Sequence, residues 1–190
     1  MDKILEAVKT LKEGGVVAYP SDTYYALGAN IFDDQAIAKI IKAKGLDIKA
    51  QPLPIAVDNM LQLEDIVQLG SDHRSIIERV WPGPVLFLLP KRASVSSLLS
   101  GPSNLIGVIQ FQNDTVSRLI QKCGFPITAT SANPTGKKDV THPDGVDVAH
   151  DVLLKGVCPY GGRELTVVDL FNNRIVQSGI WGDRLERLIF

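Results

Sequence analysis

Apolar residues Ile4, Leu5, Val8 and Leu11 recur at helical spacing, and Gly14-Gly15 closes that helix before the unbroken run Val16-Val-Ala-Tyr19, which reads as a short buried strand. Pro20 to Gly28 reads as a loop. Asp33-Asp34 can cap a second helix that carries Ala36, Ile37, Ile40 and Ile41 on one face, with Lys42 and Lys44 at the C-terminal end where cations suit the helix dipole. Leu53-Pro-Ile-Ala-Val57 is a strand whose proline belongs near the start or on an edge. Leu61 to Val67 and Ser71 to Trp81 follow as helices, the second capped by Ser71, and Pro82-Gly-Pro84 stops the chain. Val85 to Leu89 and Leu105 to Ile109 have the continuous apolar character of buried strands. Asp114 can cap a helix holding Val116, Leu119 and Ile120, and Pro126 to Thr130 is a short extended run. Val152 to Leu154, Val167 to Asp169 and Arg174 to Val176 complete the strands, with Asn172-Asn173 as a hairpin turn and Trp181 to Phe190 as a helical tail.

Helices and strands alternate over most of the chain, which predicts an α/β fold with an open twisted mixed sheet flanked by helices. Residues 1–190 are expected to form a single domain, since 45% hydrophobic content over this length suffices for one sizeable core. A net charge of -1 supplies no global field for nucleic acid or an acidic membrane, so a polyanion would need a local basic patch. No apolar run reaches the roughly 18 residues that span a bilayer, and Met1-Asp-Lys-Ile-Leu-Glu lacks the apolar stretch of a signal peptide, so a cytoplasmic protein without membrane association is expected. Cys123 and Cys158 are far apart without CxxC spacing, and His73, His142 and His150 show no metal-ligand spacing. Reduced thiols and no protein-bound metal site follow as expectations.

The candidate chemistry gathers in three segments where small polar side chains stand beside Gly and Pro. In Ser131-Ala-Asn133-Pro-Thr-Gly136 a hydroxyl and a carboxamide supply uncharged donors and acceptors suited to phosphate or ribose oxygens; equally, they can form a turn that satisfies its own backbone. Thr23 and Tyr25, two apart, would face one side of an extended segment and could line a pocket, with Tyr24 facing the other side; the alternative is aromatic packing on the core. Lys44, followed by Gly45, could meet a phosphate as a point charge or be an exposed helix-end lysine. GxxxxGK[ST], GxGxxG and GxSxG are all absent, which disfavours Walker-type and Rossmann-type nucleotide sites and a serine-hydrolase elbow.

Together, Gly14 to Gly28, Lys44-Gly45, Gln51-Pro-Leu53, Trp81-Pro-Gly-Pro84, Ile106-Gly-Val108, Ile127 to Gly136 and Thr166-Val-Val-Asp169 resemble the YrdC family in order and over nearly the whole chain. Bacterial members of that family make threonylcarbamoyl-AMP from threonine, bicarbonate and ATP, for modification of the tRNA adenosine next to the anticodon. The resemblance implies a concave α/β sheet holding ATP and L-threonine in one cavity, with Mg²⁺ accompanying ATP and with tRNA or tRNA-modification proteins as further partners. It implies that Thr23 contacts threonine, Lys44 is the lysine of a Lys-x-Arg motif, and Ser131 and Asn133 are a Ser-x-Asn motif near the nucleotide. Thr141 falls at another nucleotide-contacting position, and Gln51 where a small polar residue often sits.

Six positions depart from the family pattern. Leu46, Ile109 and Gln177 stand where arginines are usual, Ala56 where a histidine is frequent, Leu165 in place of a serine, and Leu105 in place of a threonine. Adenylation needs cations around the phosphates, and arginine's bidentate fork has no equivalent in leucine, isoleucine or glutamine. Each lost charge-assisted contact is worth on the order of 1.5 to 3 kcal/mol. Two readings therefore stand: a threonylcarbamoyl-AMP synthase with altered or lost activity, and a non-catalytic YrdC-like module that binds a nucleotide, RNA or protein. A related branch of the superfamily shares the wording Tyr25-Ala-Leu-Gly28.

Overall fold

The computed structural model describes residues 2–49 and 52–189; Gln51 lies outside them. The chain begins with α1 (Lys3–Lys12), a hairpin of β1 (Val17–Pro20) and β2 (Tyr25–Gly28), and α2 (Asp34–Lys44). Next come β3 (Ile55–Ala56), α3 (Met60–Ile66), α4 (Ser71–Val80), β4 (Val85–Pro90), α5 (Ser97–Ser100), β5 (Leu105–Ile109) and α6 (Asp114–Cys123). The last third holds β6 (Ile127–Thr128), β7 (Thr130–Ser131), a 3₁₀ turn at Pro143–Gly145, β8 (Val152–Leu153), β9 (Thr166–Asp169), β10 (Arg174–Gln177) and α7 (Gly182–Ile189).

The α/β class follows the expectation, but the strands divide into two sheets. One has the order β7-β2-β1-β8 and the other β10-β9-β4-β5-β3-β6, each mixing parallel and antiparallel pairs. They meet where β6 passes directly into β7. Thr128 and Ile127 pair with Ile55 and Ala56 of β3, while Thr130 and Ser131 pair with Leu27 and Ala26 of β2. Between them the Ala129 N–H donates to the Pro54 carbonyl at 2.8 Å. The buried Thr128 hydroxyl donates to the Leu27 carbonyl and accepts from the Ala29 N–H, and the Tyr19 hydroxyl donates to the Thr128 carbonyl at 2.8 Å. The buried hydroxyls of Tyr19 and Thr128 are thereby paired within the protein, as burial requires.

Two apolar clusters cover the sheets. Ala7, Val8 and Leu11 of α1 and Val116, Leu119 and Ile120 of α6 pack with Val17, Tyr19, Ala56, Ile109 and Ile127. Ala36, Ile37 and Ile40 of α2 join Leu27, Ile55, Phe87, Val108 and Val168 in the larger one. Full burial of such side chains stabilises by about 1.5–3 kcal/mol each before entropy is counted.

Several local expectations are corrected. Residues Tyr25 to Gly28 form a strand, because pairing with β1 buries both of their faces and removes the alternation that marks a half-exposed strand. Leu5 is half exposed and Ala7 takes its place on the buried face of α1. Gly70, with no side-chain cap, precedes α4, so Ser71 is its first helical residue. Asn113 caps α6 by accepting from the Thr115 N–H, one residue before Asp114. Asp33 caps α2 as expected, accepting from the N–H groups of Gln35 and Ala36. The late hairpin also forms, with Asn173 at φ 50° in its turn.

Candidate functional site

The segment after β1 is held from beneath by a buried carboxylate. Asp22 accepts the Gln112 and Asn113 N–H groups at 3.1 and 2.9 Å, and Asn113 Nδ2 donates to the Ser21 carbonyl. Burial raises the Asp22 pKa, with the two backbone donors acting against it. Ser21 Oγ donates to the Tyr24 carbonyl at 2.6 Å, closing a tight turn around Thr23. Thr23 is buried, yet its side chain makes no hydrogen bond among the described residues. Tyr25 differs: its hydroxyl exchanges hydrogen bonds with the backbone of Gly156 at 2.9 and 3.0 Å, and burial raises its pKa.

Ser131 ends β7, and Ala132 returns an N–H to the Tyr25 carbonyl at 2.7 Å. Asn133 is buried, and its Nδ2 donates to the Lys137 carbonyl at 2.6 Å. The loop is thus partly the self-satisfied turn that its composition allows. Lys44 is neither exposed nor directed to solvent. Its ammonium donates to the carbonyls of Ser131 and Asn133, the latter at 2.7 Å, with Ser131 Oγ at 3.5 Å and Asn133 Oδ1 at 3.4 Å. Burial lowers its pKa to about 8, with the Asp139 carboxylate acting in the opposite direction.

A cavity of about 290 Å³ opens at the seam, lined among others by Thr23, Tyr24 and Tyr25 of the β1–β2 hairpin, Ala129 and Ser131 of the β6–β7 stretch, and Leu165 and Gln177 beside β9 and β10. Tyr24 lines it together with Thr23 and Tyr25, so the three do not alternate across two faces. Asp139 and Glu164 bring carboxylates to the lining, and no lysine or arginine does so among the described residues. A second depression of about 410 Å³ shares Tyr24 and Asp139 with the first and adds Lys137, Lys138 and Thr141. Thr23, Tyr25 and Ser131 therefore meet at one cavity, Lys44 and Asn133 do not line it but are tied to Ser131 and to each other, and Thr141 lines the neighbouring depression. Asp139 and Glu164 were not singled out by sequence, and Tyr24 was expected to face away from Thr23 and Tyr25; Glu164 directly precedes Leu165, which was singled out.

Residues 9–179 match the sequence model of the Sua5/YciO/YrdC family, described as "Telomere recombination". The chain belongs to the Sua5/YciO/YrdC family. It is 34% identical to threonylcarbamoyl-AMP synthase of Pyrococcus abyssi, over 88% of this chain and 51% of that protein. Against the Photobacterium profundum protein of the same name it is 32% identical, over 94% of this chain and 100% of that one. The crystal structure of P. abyssi Sua5 complexed with L-threonine superposes with a TM-score of 0.91 at 31% identity, covering 98% of this chain and 57% of that one. This chain thus spans about half the length of the Pyrococcus relative and the whole of the Photobacterium one.

The six positions expected to depart from the YrdC pattern fall in three places. Leu46, Ala56 and Ile109 are buried in the apolar clusters, and Ala56 and Ile109 are register partners across β3 and β5. Leu46 also completes the end of α2: Gly45, at φ 63°, donates to the Lys42 carbonyl and Leu46 donates to that of Ile41, a Schellman ending with its apolar contact. Leu165 and Gln177 remain in the cavity lining, with Gln177 Nε2 donating to the Leu165 carbonyl at 2.8 Å. Leu105 is half buried at the start of β5.

Proposed function

We propose that this chain uses its seam cavity to synthesise threonylcarbamoyl-AMP from L-threonine, bicarbonate and ATP, in the cytoplasm, for tRNA modification. The observation that carries the reading is that Thr23, whose hydroxyl has no hydrogen-bond partner among the described residues, lines one cavity with Ser131, in a chain similar to a threonine-complexed relative. In this reading Thr23 positions threonine, and Ser131 and Asn133 lie on the nucleotide side, with Thr141 beyond them. The threonine amine forms a C–N bond to the bicarbonate carbon with loss of water, and the resulting carbamate oxygen attacks the α-phosphorus of ATP as the bond to pyrophosphate breaks. No covalent enzyme intermediate is required; placement and electrostatics supply the catalysis. Mg²⁺ would accompany ATP and neutralise phosphate charge. Magnesium takes one or two carboxylates plus phosphate oxygens, and Asp139 and Glu164 are the carboxylates in the lining. Among the described residues no cluster of three or more ligating side chains exists to hold a metal alone.

A second reading rests on the same lining. With two carboxylates and no basic side chain among the described lining residues, a cavity that binds without turnover is the natural competitor, and its ligand would not be a bare polyanion. The two separate in one assay, pyrophosphate release with ATP, threonine, bicarbonate and Mg²⁺. Threonine-dependent release supports the synthase; its absence at high concentration of folded protein supports the binding module.

A further inference from the structure

The lysine at the end of α2 and the Ser131–Asn133 loop are 87 residues apart in sequence, yet they form one polar unit. A buried ammonium needs oxygen partners for its three N–H groups, and Lys44 finds them in two main-chain carbonyls and the adjoining side-chain oxygens of Ser131 and Asn133. The tie also runs through the backbone, where the Thr135 N–H donates to the Lys44 carbonyl at 3.0 Å. Lys44 is absent from the lining of the cavity, whereas Ser131, which it holds, is part of it. The Schellman ending at Gly45 and Leu46 fixes where α2 delivers this side chain.

We propose that Lys44 is a positioning residue that clamps the Ser131–Asn133 loop from behind, so that the loop presents Ser131 to the cavity, and that it does not itself contact ligand phosphate. Its catalytic consequence rests on the proposed nucleotide site; the clamp does not, because it operates in the ligand-free protein. Carbonyl oxygens drawn toward the ammonium orient their peptides, and the loop N–H groups that follow acquire fixed directions. Leu46, two residues later, suits this role, because it packs the end of α2 against the apolar core.

Amide hydrogen exchange on ligand-free Lys44→Met tests the clamp. The expected result is exchange at least about tenfold faster at Ala132, Thr135 and Lys137 in the variant, with β4 and β5 unchanged. Unchanged loop exchange in folded Lys44→Met would overturn the proposal. Inorganic triphosphate and adenosine provide a second readout. A clamp weakens both to a similar degree and leaves the salt dependence of triphosphate binding as in the wild type, whereas a phosphate ligand lowers triphosphate affinity selectively and flattens that dependence. Should Lys44→Met not fold, ¹⁵N spectra of the wild-type Lys44 ammonium serve instead: a signal unmoved by triphosphate supports the clamp, and a large shift overturns it. Loop exchange reports on the clamp even if no pyrophosphate is ever released, so the two readings fail separately.

Discussion

Asp169 shows how a single side chain ties a hairpin to the sheet. Its buried carboxylate accepts from the Asn172 N–H at 3.0 Å and from Asn172 Nδ2 at 2.8 Å, with Arg174 Nε at 3.4 Å. Burial pushes its pKa up, but the hydrogen bonds from Asn172 and the Arg174 charge outweigh this and hold it below the usual value. A depressed carboxylate contributes stability that is full above its unfolded pKa and is lost as pH falls through the folded one. Asp169→Asn should therefore lower stability at neutral pH by about 1–3 kcal/mol. The gap should shrink as pH drops below the ordinary value of 3.8, measured as urea midpoints of both proteins across the acid range. A gap independent of pH would contradict the assignment. Lys44 teaches the complementary lesson. Its position at a helix end was legible in the sequence, but its oxygen partners were not, since they come from a loop that only the tertiary fold brings close.

At the scale of elements, the strongest periodic signals translated directly. Helices α1, α2 and α6 lie where apolar spacing predicted them, and Asp33 caps α2 through two N–H groups. Asp33→Ala should cost about 1 kcal/mol, read as a lower urea midpoint with an unchanged slope. What escaped the sequence has physical causes. Strand β2 is buried on both faces and four residues long, so it carries no period-two pattern. The caps of α4 and α6 differ by one residue from expectation because Gly70 needs no side chain to begin a helix and Asn113 competes with Asp114 for the same role. Division of the strands into two sheets was also invisible, since β6 and β7 are two residues each and read as one extended run.

For the whole molecule, the family and the polar loops could be read from ordered motifs, whereas the charge of the cavity could not, because Asp139 and Glu164 lie outside those motifs. The positions expected to depart from the family pattern are not interchangeable. Ile109 is fully buried beside Ala56, so Ile109→Arg would place a charge in the apolar cluster and should destabilise by about 3 kcal/mol or more. Gln177 is exposed at the cavity, so Gln177→Arg should change stability by less than about 0.5 kcal/mol. It should also tighten binding of inorganic triphosphate about tenfold, the equivalent of one modest charge-assisted contact. Calorimetric titration of both variants checks the contrast; a Gln177→Arg protein with unaltered affinity would show that residue 177 does not reach the phosphates.

The seam gives the cavity a built-in ruler. Thr128 and Ala129 are bound to the adjacent Ile55 and Pro54 at β3, and the next residue, Thr130, is bound to Leu27 of β2, so the spacing of these two segments at the cavity is set by one short stretch of chain, roughly 3.3 Å per extended residue. Substituting side chains can repaint such a slot from basic to acidic or apolar without widening it. A lineage with this seam can therefore change the charge of what it binds far more readily than the thickness of what it admits.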